Sequence, residues 1–245
     1  MANTPHRQIG LARVINKAGH SSRSQAERLV RDGKVSLDGK TILDPEFPTR
    51  GGERILIDGA LLETVRRCYL MMNKPRGLVT SAQDERGRDT VYSLLEGMPI
   101  PHVGPVGRLD KASEGLLLFT NDTVLANSLL DPMRNISKTY HVQVRGIPQE
   151  QDLLKMISGI MDDGELIRAS QVTILRQGES NAWIEVLLTE GKNREIRRML
   201  DSLGFETLRL MRIAMGPLVL GDLAKGAVRE LSPDEIRLLQ IVTRD

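Results

Sequence analysis

At 245 residues, with 34 Lys or Arg against 32 Asp or Glu, the chain has a net charge of only +2, which excludes a uniformly basic nucleic-acid-binding protein but not a local basic patch. The single cysteine, Cys68, cannot form an internal disulfide and has no cysteine or histidine neighbour at zinc-ligand spacing, and aromatic residues at 3% leave no sheet carpeted with stacking rings. No run approaches the roughly 18 apolar residues of a membrane span and the N-terminus does not resemble a secretion signal, so a cytoplasmic protein with a small domain joined to one of ordinary size is expected.

The opening segment is locally basic: residues 1–34 hold Arg7, Arg13, Lys17, Arg23, Arg28, Arg31 and Lys34 against Glu27 and Asp32, a balance of +5. Leu11, Val14, Ile15 and Ala18 predict a helix over 9–18 that Gly19 can end. Ser22 with Gln25 three residues on reads as a capping box for a second helix, whose buried stripe is Ala26, Leu29 and Val30, and Gly33 closes it. Val35 to Ile42 around Asp38-Gly39 predicts a hairpin, 54–58 a third strand, and 60–67 a connection. Beyond Cys68, strands are expected at 69–72, 115–120, 139–145, 172–175 and 183–188, and helices at 124–130, 150–158, 193–203 and 233–239. Strand and helix do not alternate regularly, so the fold class is α+β with a mixed or antiparallel sheet.

Common catalytic signatures are missing. There is no GxxxxGK[ST] loop, no GxGxxG after a strand and no HExxH, and His6, His20, His102 and His141 are scattered, so no metal or nucleotide cofactor is expected. A second basic cluster comprises Lys192, Arg194, Arg197, Arg198, Arg209 and Arg212. What remains is GRLDKASEGLLLFTND at 107–122, where Asp110 precedes an apolar run. A carboxylate held rigidly there can act as nucleophile or base without a cofactor. Read from the residues alone, a turn aspartate capping backbone amides is the favoured reading.

The stretch KAGHSSRSQAERLVRDGKVSLDGK resembles the S4 RNA-binding domain over roughly residues 7–60. That resemblance implies RNA contact by Arg13, Lys17, Arg23, Arg28 and Lys34, directed at phosphates and therefore salt-sensitive. The remainder resembles the pseudouridine synthases, in particular the branch acting on bacterial ribosomal RNA that carries an N-terminal S4 domain. The likeness rests on five blocks in order: NKPRG at 73–77, GRLDKASEGLLLFTND at 107–122, KTYHVQV at 138–144, EGKNREIRRM at 190–199 and GPLVLGDLAKGAVREL at 216–231.

The resemblance implies a catalytic role for Asp110, in attack on the target nucleoside or proton abstraction from its sugar. It implies that Tyr140 packs on the base and assists a later proton transfer, that Arg197 pairs with Asp110, and that Arg108 lies near the displaced nucleotide. Lys138, Lys192 and Arg194 are the further cations expected to meet RNA. A domain of residues 1–62 for RNA binding and one of 63–245 for catalysis follow, the latter a mainly antiparallel sheet with a central cleft. Glu114, an acid close to Asp110, is expected to face away from the cleft. Ribosomal RNA is the expected partner, 23S favoured over 16S, with no membrane and no cofactor, and a monomer is expected. The alternative is a non-catalytic RNA-binding assembly factor. An S4-linked methyltransferase is disfavoured by the missing glycine-rich cofactor loop.

Overall fold

A computed structural model describes residues 9–63, 65–82, 84 and 86–244, so Arg7 of the basic opening lies outside the described residues. The chain divides into two units, one taking in the described residues up to Cys68 with Pro99–Gly104 and Thr120–Thr123, the other the remainder.

In the first unit β1 (Ile9–Gly10), α1 (Leu11–Lys17) and α2 (Arg23–Arg31) precede β2 (Val35–Leu37), β3 (Lys40–Thr41), β4 (Pro48–Thr49), β5 (Ile55–Ile57) and β6 (Ala60–Leu61). The capping box forms as read: Gln25 N donates to Ser22 Oγ at 3.2 Å and Ser22 N to Gln25 Oε1 at 3.0 Å. Asp38 and Gly39 take φ of +49° and +81°, the left-handed pair that a two-residue hairpin demands, and join β2 to β3. Strand β5 ends in a second such hairpin at Asp58-Gly59, so the stretch read as connection begins with β6. Leu11, Ile15, Ala26, Val30, Val35 and Ile57 form the core of this unit.

The second unit is built on β7 (Tyr69–Lys74), β8 (Gly104–Val106), β9 (Glu114–Thr120), β10 (Lys138–Arg145), β11 (Ile160–Asp162), β12 (Glu165–Ile167), β13 (Gln171–Gln177), β14 (Asn181–Leu188), β15 (Thr207–Met215), β16 (Leu218–Val219) and β17 (Val228–Glu230). Its helices are α3 (Thr123–Leu130), α4 (Glu150–Ser158), α5 (Glu195–Ser202) and α6 (Pro233–Val242). The main sheet runs β13-β14-β10-β15-β9-β7-β17, with β16 added to β15 and β8 to β9. Strand β15 pairs antiparallel with β10 and parallel with β9, so the sheet is mixed and mainly antiparallel, an α+β fold. Strand β9 is buried along its whole length, which explains its continuous apolar run.

Several strands of this unit were not anticipated: β8, β16 and β17, the long β15, and the β11–β12 hairpin. Strand β15 carries Arg209 and Arg212 within TLRLMRIAM, and those cations hide its apolar pattern. The β11–β12 hairpin turns at Asp163-Gly164, a visible turn signal between strands of only three residues each. No described helix is long and apolar enough to cross a membrane.

Two apolar clusters flank this sheet. Val142, Val144, Ile184 and Val186 pack against Met156 of α4 and Ile196, Met199 and Leu200 of α5. Met71, Leu116, Leu118 and Met215 pack against Leu125 and Leu129 of α3 and Leu239 of α6. The first cluster fixes α5 over β10, which brings the EGKNREIRRM segment to the mouth of a cleft.

Candidate active site

Asp110 sits in the turn between β8 and β9, and every backbone carbonyl from Leu109 to Ser113 has a donor. Thr80 Oγ1 donates to Leu109 O at 2.7 Å and accepts from Leu109 N at 3.3 Å. Lys74 Nζ donates to Asp110 O at 3.2 Å, Ser113 O at 2.8 Å and Pro75 O at 3.1 Å. Gly77 N donates to Lys111 O at 2.8 Å, Ser113 N to Asp110 O at 2.9 Å, and Arg197 Nη2 to Ala112 O at 3.3 Å. These donors come from β7, the loop after it and α5, so the turn is fixed from several sides, with the side chains of Asp110 and Lys111 on the cleft. A turn whose own carbonyls are satisfied holds a reacting group without reorganisation, as a preorganised site requires.

Lys74 is fully buried, and burial pushes its ammonium down to about 8 despite the opposing pull of Asp110 and Glu114. Three carbonyl acceptors account for a charge that an apolar strand end would otherwise reject.

The Asp110 side chain is 39% exposed and faces Arg194, whose Nη1 lies 3.8 Å from Asp110 Oδ2. Both partners are wet, so the pair contributes only about 0–1 kcal/mol to folding and its value lies in orientation and charge. Arg194 takes φ +49° as the residue before α5, which aims its side chain off the helix axis. Helix α5 therefore begins at Glu195 rather than at 193. Arg197, expected from the resemblance to pair with Asp110, donates to the carbonyl of Ala112 instead and is only 8% exposed. Burial lowers its pKa first, Arg194 and Arg76 lower it further, and Asp110 opposes them.

Tyr140 enters the cleft from β10. A register shift between Thr139 and Tyr140 sets Tyr140 opposite Arg212 of β15, an extra residue of the kind that re-aims side chains beside active sites. Its ring rests on the α5 cluster, and its hydroxyl has no protein hydrogen-bond partner among the described residues. Parallel pairing of β15 with β9 depends on Gly115, at φ +102°, where a Cβ would lie 2.3 Å from Arg212 O.

Lys138 also lines the cleft, reaching the Thr189 carbonyl at 3.5 Å, its pKa lowered first by burial and then by Arg212. Lys192 is tied to Glu190 at 2.8 Å and to the Leu166 carbonyl at 2.6 Å. Arg108 is exposed on the cleft and has no ion-pair partner among the described residues. Arg198 anchors the β11–β12 hairpin through Asp162 and Glu165. Glu114 faces away from the cleft, as anticipated, bonded by Arg209 at 2.9 Å and Lys225 at 2.6 Å. Burial pushes its carboxyl up, but those two cations together outweigh it and hold it below the usual range.

The cleft has a volume of about 910 Å³, ample for a nucleotide, and it collects Asp110, Tyr140, Arg108, Lys138 and Arg194 from three separate segments. A family model described as RNA pseudouridylate synthase matches residues 68–202, and one described as S4 domain matches residues 9–55. The chain belongs to the RNA pseudouridylate synthase family. A relative from Bacillus subtilis (strain 168), named ribosomal large subunit pseudouridine synthase B, is 36% identical over 94% of this chain and 95% of its own length. One from Rickettsia prowazekii (strain Madrid E), named an uncharacterized RNA pseudouridine synthase, is 40% identical over 91% of this chain and 94% of its own. A crystal structure titled pseudouridylate synthase superposes with a TM-score of 0.67 at 26% identity, covering 94% of this chain and 99% of that one. As a pseudouridine synthase the protein is an isomerase, with an S4 RNA-binding domain at its N-terminus.

Lys74 and Thr80 of the synthase were not singled out as site residues. The signal was present for Lys74: a lone cation ending the apolar run of YLMMNK has to be either solvated or bonded. In the S4 unit of the synthase, Arg13 and Lys17 are exposed one helical turn apart on α1, with no ion-pair partner among the described residues. Arg23 is shared between Glu27 and Glu46 at 3.2 Å each, Arg28 lies 3.7 Å from Asp32, and Lys34 lies 4.0 Å from Asp58. Part of the expected cationic face is thus neutralised internally.

Proposed function

We propose that this synthase converts one uridine of ribosomal RNA to pseudouridine, in 23S rather than 16S RNA, with Asp110 as the catalytic carboxylate. The observation that carries the assignment is the turn 109–113, whose satisfied carbonyls hold its one carboxylate at the cleft that Tyr140 and Arg194 also line. The large-subunit preference rests on the name of the Bacillus subtilis relative, which spans nearly the whole chain.

The reaction breaks the bond between C1′ of the ribose and N1 of uracil, turns the base and joins C1′ to C5, after which C5 gives up its proton and N1 takes one up. Atoms and electrons are conserved, so a carboxylate and a path for one proton suffice. Asp110 attacks the nucleoside or removes a proton from its sugar to open the glycosidic bond. Tyr140 packs on the freed base with an uncommitted hydroxyl for proton transfer. Arg194 faces the Asp110 carboxylate and Arg197 braces the turn that carries it. A base stacked in folded RNA hides N1 and C5, so the uridine leaves the stack to reach this cleft. Arg108, Lys138 and Lys192 hold the flanking phosphates, while residues 1–62, chiefly Arg13 and Lys17 with Arg23, Arg28 and Lys34 beside them, dock the RNA and residues 63–245 perform the chemistry.

Mapping pseudouridines by carbodiimide-blocked primer extension in rRNA from cells lacking the gene tests this reading. One 23S stop disappears if it is right. A stop lost from 16S RNA contradicts the subunit, and an unchanged pattern contradicts the function.

A further inference from the structure

Helices α4 and α5 cover one face of the β13-β14-β10 ribbon, where Val142, Ile184 and Val186 are buried. Alternation along β14 turns Asn181, Trp183, Glu185 and Leu187 to the other face, where each is half-buried. Trp183 is the only tryptophan of the chain, and two guanidinium groups bracket it. That of Arg176 on β13 lies 5.2 Å from the ring centroid, and that of Arg209 on β15 lies 5.6 Å from it. They come from opposite sides of β14: Arg176 pairs directly with Trp183, while Arg209 stands beyond Gln143 of β10. The two arginines differ in what holds them. Arg209 is fixed by Glu114 at 2.9 Å, whereas Arg176 is exposed and has no carboxylate partner among the described residues. Cations continue from there towards the cleft. Arg76 is exposed, donates at 3.3 Å to the carbonyl of Leu208, the neighbour of Arg209, and lies close enough to Arg197 to help lower its pKa. With Lys225, these arginines outnumber Glu114 and Glu185, the carboxylates on the strands of this face.

We propose that Trp183 with Arg176 and Arg209 is a second RNA-contact site, a stacking platform for an unpaired nucleotide of the strand that runs from the cleft past Arg76. The inference goes beyond the reading of Asp110 as the reacting group and does not depend on it. Tryptophan and arginine also anchor protein interfaces, but the excess of positive charge around this ring suits a polyanion. Because Arg176 has no carboxylate to hold it, it can leave the indole to meet a phosphate while a base takes its place on the ring. Arg209, tied to Glu114, stays on the other side. Every base has a π face, so the platform accepts any sequence and strengthens the grip on RNA without choosing the uridine.

With one indole in the chain, tryptophan emission reports on this site alone. The test titrates the full chain with a single-stranded oligouridylate and, separately, with an RNA duplex of equal length, following indole emission and the anisotropy of labelled RNA. Single-stranded RNA is expected to quench wild-type emission, with the quench reversed by salt, and the duplex to quench it little. Trp183→Leu is expected to bind the single strand about tenfold more weakly, Trp183→Phe within about threefold of wild type, and Arg176→Ala about threefold more weakly. Arg176 is exposed, so Arg176→Ala should unfold at the wild-type temperature, and together with the wild-type quench it decides the matter even where Trp183→Leu fails to fold. Emission unchanged at saturating RNA, or a folded Trp183→Leu with wild-type affinity, would overturn the platform. Emission that ignores RNA but shifts with RNA-free ribosomal proteins would overturn it too, and assign the face to a protein partner. Binding is read here without turnover, so failure of the Asp110 assignment leaves these outcomes untouched.

Discussion

Replacing Lys74 with methionine keeps an unbranched side chain one atom shorter and removes the charge that organises the Asp110 turn. In the folded protein the ammonium is lowered from 10.5 to about 8, chiefly by burial. At ~1.36 kcal/mol per pH unit, keeping it charged near neutrality costs roughly 3 kcal/mol. Against this stand three donated bonds; without them the Pro75 and Ser113 carbonyls lose their donor at about 1–3 kcal/mol each, while Asp110 O keeps the Ser113 N–H. The two effects are of similar size, so Lys74→Met shifts global stability by little. Activity is another matter. A turn released by about 1 Å costs on the order of 100-fold in rate, and the loss falls on kcat because the cations that hold RNA are untouched.

The sign of the pH dependence separates the two roles. Between about 8 and 10.5 the unfolded chain binds more protons at this lysine than the folded one, so its contribution to stability rises with pH. Catalysis moves the opposite way, since a neutral amine has two N–H bonds for three carbonyls. Wild-type kcat should fall as pH rises through about 8, and that limb should be absent from the residual activity of Lys74→Met. Single-turnover pH profiles of both proteins, alongside thermal unfolding, measure this. A Lys74→Met protein with wild-type kcat and the same alkaline limb would refute the argument.

Gly115→Ala places a Cβ 2.3 Å from the Arg212 carbonyl at a φ of +102°, and calorimetry should show a fall in Tm reflecting a loss of about 2 kcal/mol or more. Unchanged Tm would mean that β9 and β15 do not meet as described. Removing Arg13 or Lys17 should weaken rRNA binding and reduce the slope of log K against log salt by about 1 each, whereas Arg23→Ala, whose guanidinium already serves two carboxylates, should change it less. Filter binding across a salt series decides between them.

Much of the fold was legible because local chemistry and tertiary packing agree. The Ser22 capping box, the Asp38-Gly39 turn and the continuous apolar run of β9 all carry local signals that the structure honours. Strand β15 was not legible, because Arg209 and Arg212 break its alternation. They are tolerated there since Arg209 reaches Glu114 and Arg212 Nε donates to the Leu116 carbonyl, partners nearly a hundred residues away in sequence. The site shows the same division. The segment carrying Asp110 announced itself, but its supports, Lys74, Thr80 and the Arg194 pair, are defined by carbonyls and distances that no spacing encodes. Arg194 and Arg197 stand three apart, and the left-handed backbone of Arg194 turns its side chain to the carboxylate while Arg197 is drawn beneath the turn.

The account depends on the Asp110 carboxylate as the reacting group. Asp110→Asn is nearly isosteric and keeps its backbone bonds to Lys74 and Ser113, so the protein should fold and retain rRNA affinity within about twofold, because the phosphate contacts are intact. Tritium release from C5-labelled rRNA taken from cells lacking the gene should then fall to background. Turnover by Asp110→Asn at a rate approaching wild type would contradict the account.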